Sequence, residues 1–319
     1  MRRAECYSCF CGAPESPLVL ASLVRGALLP MRWAVATRPR GTWIRSACVP
    51  VLKLASHRPI LLRSLDEIRP LDRPDLTFEA ADSWVMEDVY WFGVQGYEGI
   101  LADLWTKLCR NATSVLEIGG NVGLYSVLGG KVAPSRYTVI EPLPELAALI
   151  RANLRRNGLN AVEVLQGAAI PDREPRVVSL NVPDEGRRAP TGAYLVDGSE
   201  IRAREAEHQL SVQGLPIASL IEDRDLIKMD AEGIEHALLK SCKSVLLERH
   251  PTVVIEVLPE STRLASLLQE LASNGKYTIY VVPGYGSEQV VPVKPEIFTA
   301  ELPQRFHSKD VVLTTIPIA

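Results

Sequence analysis

Val115-Leu116-Glu117-Ile118-Gly119-Gly120-Asn121-Val122-Gly123 decides the fold. Its first four residues, three of them apolar, read as a short buried strand. A glycine-rich turn follows, and an apolar helix opens from about residue 122. Glycine tolerates positive φ and lets a ligand approach the backbone closely. In an open α/β sheet, ligands bind just beyond the carboxyl ends of the strands, where a turn of this kind lies.

The alternation of strand and helix continues downstream. Residues 137–141 form a second strand, and 144–157 an amphipathic helix that Gly158 ends. Further strands are expected at 162–165, 226–229, 253–257, 277–282 and 310–315. Helices are expected over about 232–248 and 260–273. Such alternation builds a parallel sheet covered on both faces. Residues 171–216 break the rhythm, with one strand-like run at 177–182. Long irregular insertions tend to be lids or binding loops, so this one is expected to help form an acceptor site.

Upstream, residues 64–112 read as a helical lead-in. Trp84, Trp91, Phe92 and Trp105 supply aromatic packing. A helix over 98–108 places Ile100, Leu101, Leu104, Trp105 and Leu108 on one face. Residues 1–63 are a basic extension with ten basic and two acidic side chains, a net of +8 against −11 in the rest. Cys6, Cys9 and Cys11 cluster there without a second ligand pair, so no metal site is expected. The apolar stretch 18–36 is interrupted by Arg25, Pro30 and Arg32, so no integral membrane span is expected. Its leader-like pattern is weakened by the same Arg25, and a cytoplasmic location is expected. A basic, weakly apolar segment can still touch an anionic membrane surface.

The whole chain has 319 residues, 35 basic and 38 acidic, for a net charge of −3. Its apolar share of 47% and charged share of 23% are those of an ordinary globular protein. This balance excludes a strongly basic nucleic-acid binder and an acidic disordered tail.

Two nucleotide cofactors suit a glycine turn with an acid, Glu141, closing the next strand. A dinucleotide needs Gly-x-Gly-x-x-Gly, so that its pyrophosphate sits on the helix N-terminus. The spacing here is Gly119-Gly120-x-x-Gly123, and Glu117 adjoins the turn. A carboxylate there would repel a pyrophosphate and attract a cationic group. This favours S-adenosylmethionine, which carries an ammonium and a sulfonium. Glu141 is placed to accept the ribose hydroxyls.

Residues 115–126 resemble the first motif of the FkbM-type methyltransferases. Asp225-Leu226-Ile227-Lys228-Met229-Asp230-Ala231-Glu232-Gly233-Ile234-Glu235 is similar to that family's second signature. Ile140-Glu141-Pro142, Asn153, Asn157 and 253–256 also match, in the family's order. Glu117 and Gly120 depart from it, standing where the family usually has Asp and Ala. The resemblance implies a class I methyltransferase, Rossmann-like α/β fold over 113–319. Its sheet would have seven mostly parallel strands, helices on both faces and a final antiparallel strand. It also implies S-adenosylmethionine as cofactor and methyl transfer to a hydroxyl of a sugar, lipid or polyketide-type small molecule. The competing readings are an NAD(P)-dependent oxidoreductase, for which no clear Tyr/Lys or Cys/His pair is visible, and an inactive binding module.

The cofactor-contacting residues expected are Glu117, Gly119, Gly120, Asn121, Gly123, Glu141, Pro142 and Ala168. Transfer to an alcohol needs the acceptor held close to the methyl group and a base or metal to help its proton leave. Asp230, at the end of the fourth strand, is the first choice. Glu232 and His236 lie four apart, on one face of the expected helix. Glu256 ends the fifth strand beside them. Each acid also has a plain structural role open to it, since a carboxylate at a helix N-terminus stabilises the helix by about 0.3–1 kcal/mol. Asp230 could serve only as an N-cap, and Glu235 only as an ion-pair partner of Lys228 or Arg249.

Overall fold

The computed structural model describes residues 17–37, 43–56, 62, 65–133, 136–183, 189–190, 192–195, 208–284 and 289–318. Cys6, Cys9, Cys11 and His57 fall outside them. Helices α1 (Pro17–Thr37) and α2 (Trp43–Ser56) come first. Helix α1 continues through Arg25, Pro30 and Arg32, the residues that interrupt its apolar run. By length and composition alone, its stretch 19–36 is apolar enough to cross a membrane. Arginine is a good helix former, and Arg32 is buried against the lead-in. It lies 3.4 Å from the Tyr90 ring centroid and donates from Nε to the Tyr90 carbonyl at 2.9 Å.

The lead-in pairs β1 (Glu67–Ile68) with β2 (Phe78–Glu79) and then forms α3 (Trp84–Phe92), α4 (Val94–Glu98) and α5 (Leu101–Asn111). The single helix expected over 98–108 is split at Gly99. That residue has φ +66, and its Cα rests on the Gly284 carbonyl, where a side chain would collide. Trp91 and Trp105 are buried as expected, whereas Trp84 is exposed.

From here the alternating pattern holds. The chain forms β3 (Ser114–Ile118), α6 (Leu124–Gly130), β4 (Arg136–Glu141), α7 (Pro144–Arg156) and β5 (Glu163–Gln166). β3 is buried at every position, as a strand covered on both faces must be. Next come β6 (Ala168–Ile170) and the insertion, with β7 (Val177–Val182), β8 (Tyr194–Leu195) and β9 (His208–Pro216). Its described residues are not irregular. With β6, its strands form a sheet of their own in the order β6–β9–β7–β8. β9 eluded the sequence reading because it reads as polar. Its exposed positions outnumber its buried ones, and its partner β7 is 26 residues earlier in sequence.

The chain then forms α8 (Ile217–Ile221), β10 (Leu226–Met229), α9 (Glu235–Ser241), α10 (Lys243–Arg249), β11 (Thr252–Glu256), α11 (Thr262–Gly275), β12 (Thr278–Val281), β13 (Val291–Val293) and β14 (Asp310–Thr314). The main sheet has the order β5–β4–β3–β10–β11–β14–β12–β13. It therefore has eight strands, not seven. The short β13 adds a hairpin edge to β12. β3, β4, β5, β10 and β11 are mutually parallel, and β14 is antiparallel to both neighbours. This is the class I methyltransferase arrangement. The expected helix over 232–248 is two helices, with Glu232 in the turn before them at φ 53.

Two asparagines on α7 fasten the lead-in to the sheet domain. Asn153 donates to the Val122 carbonyl at 2.8 Å and accepts from the Glu79 amide at 2.7 Å. Asn157 accepts from the Thr77 amide at 3.1 Å and donates to the Thr77 carbonyl at 2.6 Å. Asn153→Ala would leave a backbone donor and acceptor unpaired around a fully buried position. It should lower the unfolding free energy by about 1–3 kcal/mol in urea denaturation. A change within error would show that the stitch contributes nothing to stability.

Candidate active site

The glycine turn is held between β4 and β10. The Gly119 and Gly120 amides both donate to the Ile140 carbonyl, at 3.0 and 3.2 Å, while the Asp230 amide donates to the Ile118 carbonyl at 3.0 Å. Gly119 has φ +82, and a Cβ there would collide with the carbonyl oxygen of Asp230. At Gly120 a Cβ would sit 2.5 Å from Val139 Cγ2 and 2.7 Å from Ile150 Cδ1.

Beside the turn, β3 lies between β4 and β10, and the chain order reverses there. A cavity of about 290 Å³ opens at this point. Gly119, Asn121, Glu141, Pro142 and Ala168 line one part of it, and Asp230 and Glu232 another. Glu141 is fixed by two backbone amides, Asn121 to Oε2 at 2.8 Å and Leu143 to Oε1 at 3.0 Å. Burial nonetheless pushes its pKa up to about 7. The buried Oδ1 of Asn121 has no protein partner among the described residues. A ligand donor would satisfy it.

Four of the expected residues are not in the lining: Glu117, Gly120, Gly123 and His236. Gly120 and Gly123 shape the turn from behind, against Ile150. His236 lies in the first turn of α9. Because Glu232 precedes that helix in a left-handed turn, the two do not share a helical face. Glu117 is the larger correction. It is buried and accepts at Oε2 from the Ser126 hydroxyl at 2.8 Å and the Tyr137 hydroxyl at 2.6 Å. Its Oε1 is buried with no partner among the described residues, and neither oxygen faces the cavity. Glu235 pairs with neither Lys228 nor Arg249 but accepts from the Ala231 and Gly233 amides at 2.7 and 2.9 Å. It thereby shapes the turn that carries Glu232.

The other polar groups come from three places. Tyr97 and Glu98 reach the cavity from α4, Glu256 from the end of β11, and Lys309 from just before β14. Lys228 Nζ pairs with Asp230 Oδ2 at 2.9 Å and lies 4.7 Å from the Tyr125 ring centroid. Burial disfavours the Lys228 charge, but Asp230, Glu98 and Asp310 outweigh that and raise its pKa. The Tyr125 hydroxyl donates to Glu98. Lys309 Nζ holds Glu256 Oε1 at 2.8 Å, while Oε2 is buried with no partner among the described residues. Burial and the charge of Asp230 push Glu256 up to about 7. Nothing in the sequence near residues 97–98 or 309 signalled these contacts, since both pieces arrive from outside the motifs. From the insertion come Leu180, Ala193 and Leu195, an apolar wall.

Burial likewise pushes Glu117 up to about 7. A carboxyl whose pKa rises on folding favours the native state fully below its ordinary value of 4.5, and that advantage is lost as pH rises through about 7. Between those values the melting temperature should fall with rising pH, and Glu117→Gln should make the fall shallower. An unaltered slope would mean that Glu117 does not titrate across this window.

The methyltransferase FkbM domain matches residues 117–277, just over half of the 319. Many solved structures are similar, among them two methyltransferases. One is the methyltransferase FkbM from Methylobacillus flagellatus KT, at 17% identity over 92% of this chain and 60% of that one, TM-score 0.40. The chain thus spans 60% of that relative's length. The other is the O-methyltransferase from Bacillus cereus in complex with SAH, at 14% identity over 67% of this chain and 80% of that one, TM-score 0.39. No curated protein matches. The domain match begins at Glu117, takes in the glycine turn, Glu141, Asp230 and Glu256, and so places this chain in the FkbM methyltransferase family.

Proposed function

We propose that this protein is an S-adenosylmethionine-dependent O-methyltransferase acting on a hydroxyl of a sugar, lipid or polyketide-type small molecule. The observation that carries the reading is the pair Glu141 and Asn121. Glu141 presents a carboxylate fixed by two backbone amides, suited to the two hydroxyls of a ribose. Asn121 presents a buried acceptor that a ligand ammonium would satisfy. Pro142 and Ala168 lie alongside. When bound, S-adenosylmethionine supplies an electrophilic methyl group on a sulfonium.

The far part of the cavity has the chemistry to bind an alcohol. Carboxylates of Glu98, Asp230, Glu232 and Glu256 can accept from acceptor hydroxyls, and the apolar wall of the insertion excludes water. Two carboxylates compete for the acceptor's proton. Asp230, the first choice from sequence, is oriented by Lys228. Glu256 has the stronger case on geometry: Lys309 holds one oxygen, the other is buried and unpartnered, and its pKa lies at about 7. A base with that value is half available at neutral pH and can still drive proton transfer. In this reading Glu256 takes the proton at Oε2, and Asp230 orients the acceptor.

Glu141→Ala should weaken adenosylhomocysteine binding by about tenfold or more in calorimetry, with far-UV circular dichroism unchanged. Wild-type protein that binds NADH and not adenosylhomocysteine would remove the cofactor assignment. Once an acceptor is identified by incubating cell extract with methyl-labelled cofactor, kcat/KM should rise with pH through about 7. Glu256→Gln should flatten that rise and lower kcat by about a hundredfold or more. Asp230→Asn should depress turnover and move the rise to lower pH without flattening it, because the Asp230 charge helps hold Glu256 up. The reverse pattern would return the base role to Asp230.

A further inference from the structure

The two N-terminal helices are apolar on the side they turn away from the protein. Their inner faces are packed, with Ala21, Val35, Leu52 and Ala55 buried and Arg32 seated on Tyr90. Outward, α1 shows Leu20, Leu23 and Trp33, and α2 shows Trp43, Val51 and Leu54. Trp43 is 79% exposed and Leu54 73%. On α2 the outward positions fall at helical spacing, Trp43, Ala47, Val51 and Leu54, so they form one stripe. A helix apolar on both sides has a second medium to face besides the protein core.

The charge around these faces indicates which medium. Residues 17–56 contain no acid, in a chain whose net charge is −3, and with Arg32 turned inward the described helices still leave Arg25, Arg45 and Lys53 at least partly exposed. Two cationic copies placed face to face would repel each other. An anionic lipid surface would attract them. Tryptophan is also the side chain that favours the headgroup boundary, and two of the outward residues are Trp. We infer that α1 and α2 form a monotopic membrane-docking surface that lies in the headgroup layer of an anionic bilayer, with the catalytic cavity outside it. Docking flat differs from spanning. The inner face of α1 is already committed to the lead-in through Arg32, so the helix presents one face to lipid.

The test is flotation of the full-length protein with vesicles of phosphatidylcholine, with and without about 30 mol % phosphatidylglycerol. Binding should be about tenfold or more stronger to the anionic vesicles and should weaken in about 0.5 M salt. Tryptophan emission should shift to the blue on binding. Trp33→Ser with Trp43→Ser should abolish flotation, and Arg45→Glu with Lys53→Glu should remove the preference for anionic lipid. Trp33, Trp43 and Lys53 are exposed and Arg45 is half-buried, none of them in the core, so circular dichroism and adenosylhomocysteine affinity should match wild type. Failure to float with anionic vesicles would overturn the inference. So would a concentration-dependent dimer, seen by sedimentation equilibrium without vesicle binding, that the two Trp substitutions dissociate.

Discussion

Gly119 and Asp230 meet backbone to backbone at the carboxyl ends of two neighbouring parallel strands, with no room for a side chain between them. The contact requires a residue at φ +82 without a Cβ, which only glycine supplies without strain. It sets the height of the turn over the sheet and hence the position of Asn121, whose amide reaches Glu141. From the other side it sets where β10 ends and where Asp230 and Glu232 enter the cavity. The Asn121–Glu141 side of the cavity and the Asp230–Glu232 side are therefore registered against each other by one backbone approach.

The carboxylates around this point divide by what satisfies them. Glu117 is buried beneath the sheet and held by two hydroxyls, and Glu235 by two amides. Both shape the site from outside the cavity. Glu141 is also fixed by amides, yet it lines the cavity. Glu98, Asp230 and Glu256 share their charge with Lys228 and Lys309, which lets several acids stand together in one cavity. An acid next to the glycine turn in sequence is thus a different object from an acid facing the ligand. Side chains alternate across a strand, and the one at 117 faces α6 and β4.

Segments distant in sequence complete the enclosure. Gly99 breaks the lead-in so that α4 ends with Glu98 at the cavity. Asn153 and Asn157 tie the same lead-in to α7 through backbone groups at 77, 79 and 122. The insertion folds as a sheet, and a sheet is a stiffer wall than a loop because its backbone groups are paired along its length.

Local sequence determined the strands of the parallel core, the glycine turn and the family. Those rest on short-range causes: runs of buried apolar residues, positive φ and motif spacing. It located 226–229 to the residue, and Asp230, Glu141 and Asn121, singled out from sequence, line the cavity. Tertiary structure alone decided the eighth strand, the insertion sheet, the break at Gly99, the continuity of α1 through Pro30, and which carboxylates face the cavity. Each of these is settled by a partner far along the chain. Gly284 meets Gly99, Tyr90 accepts Arg32, and Lys309 holds Glu256. No window of sequence contains both members of such a pair, so no periodicity within it can register them.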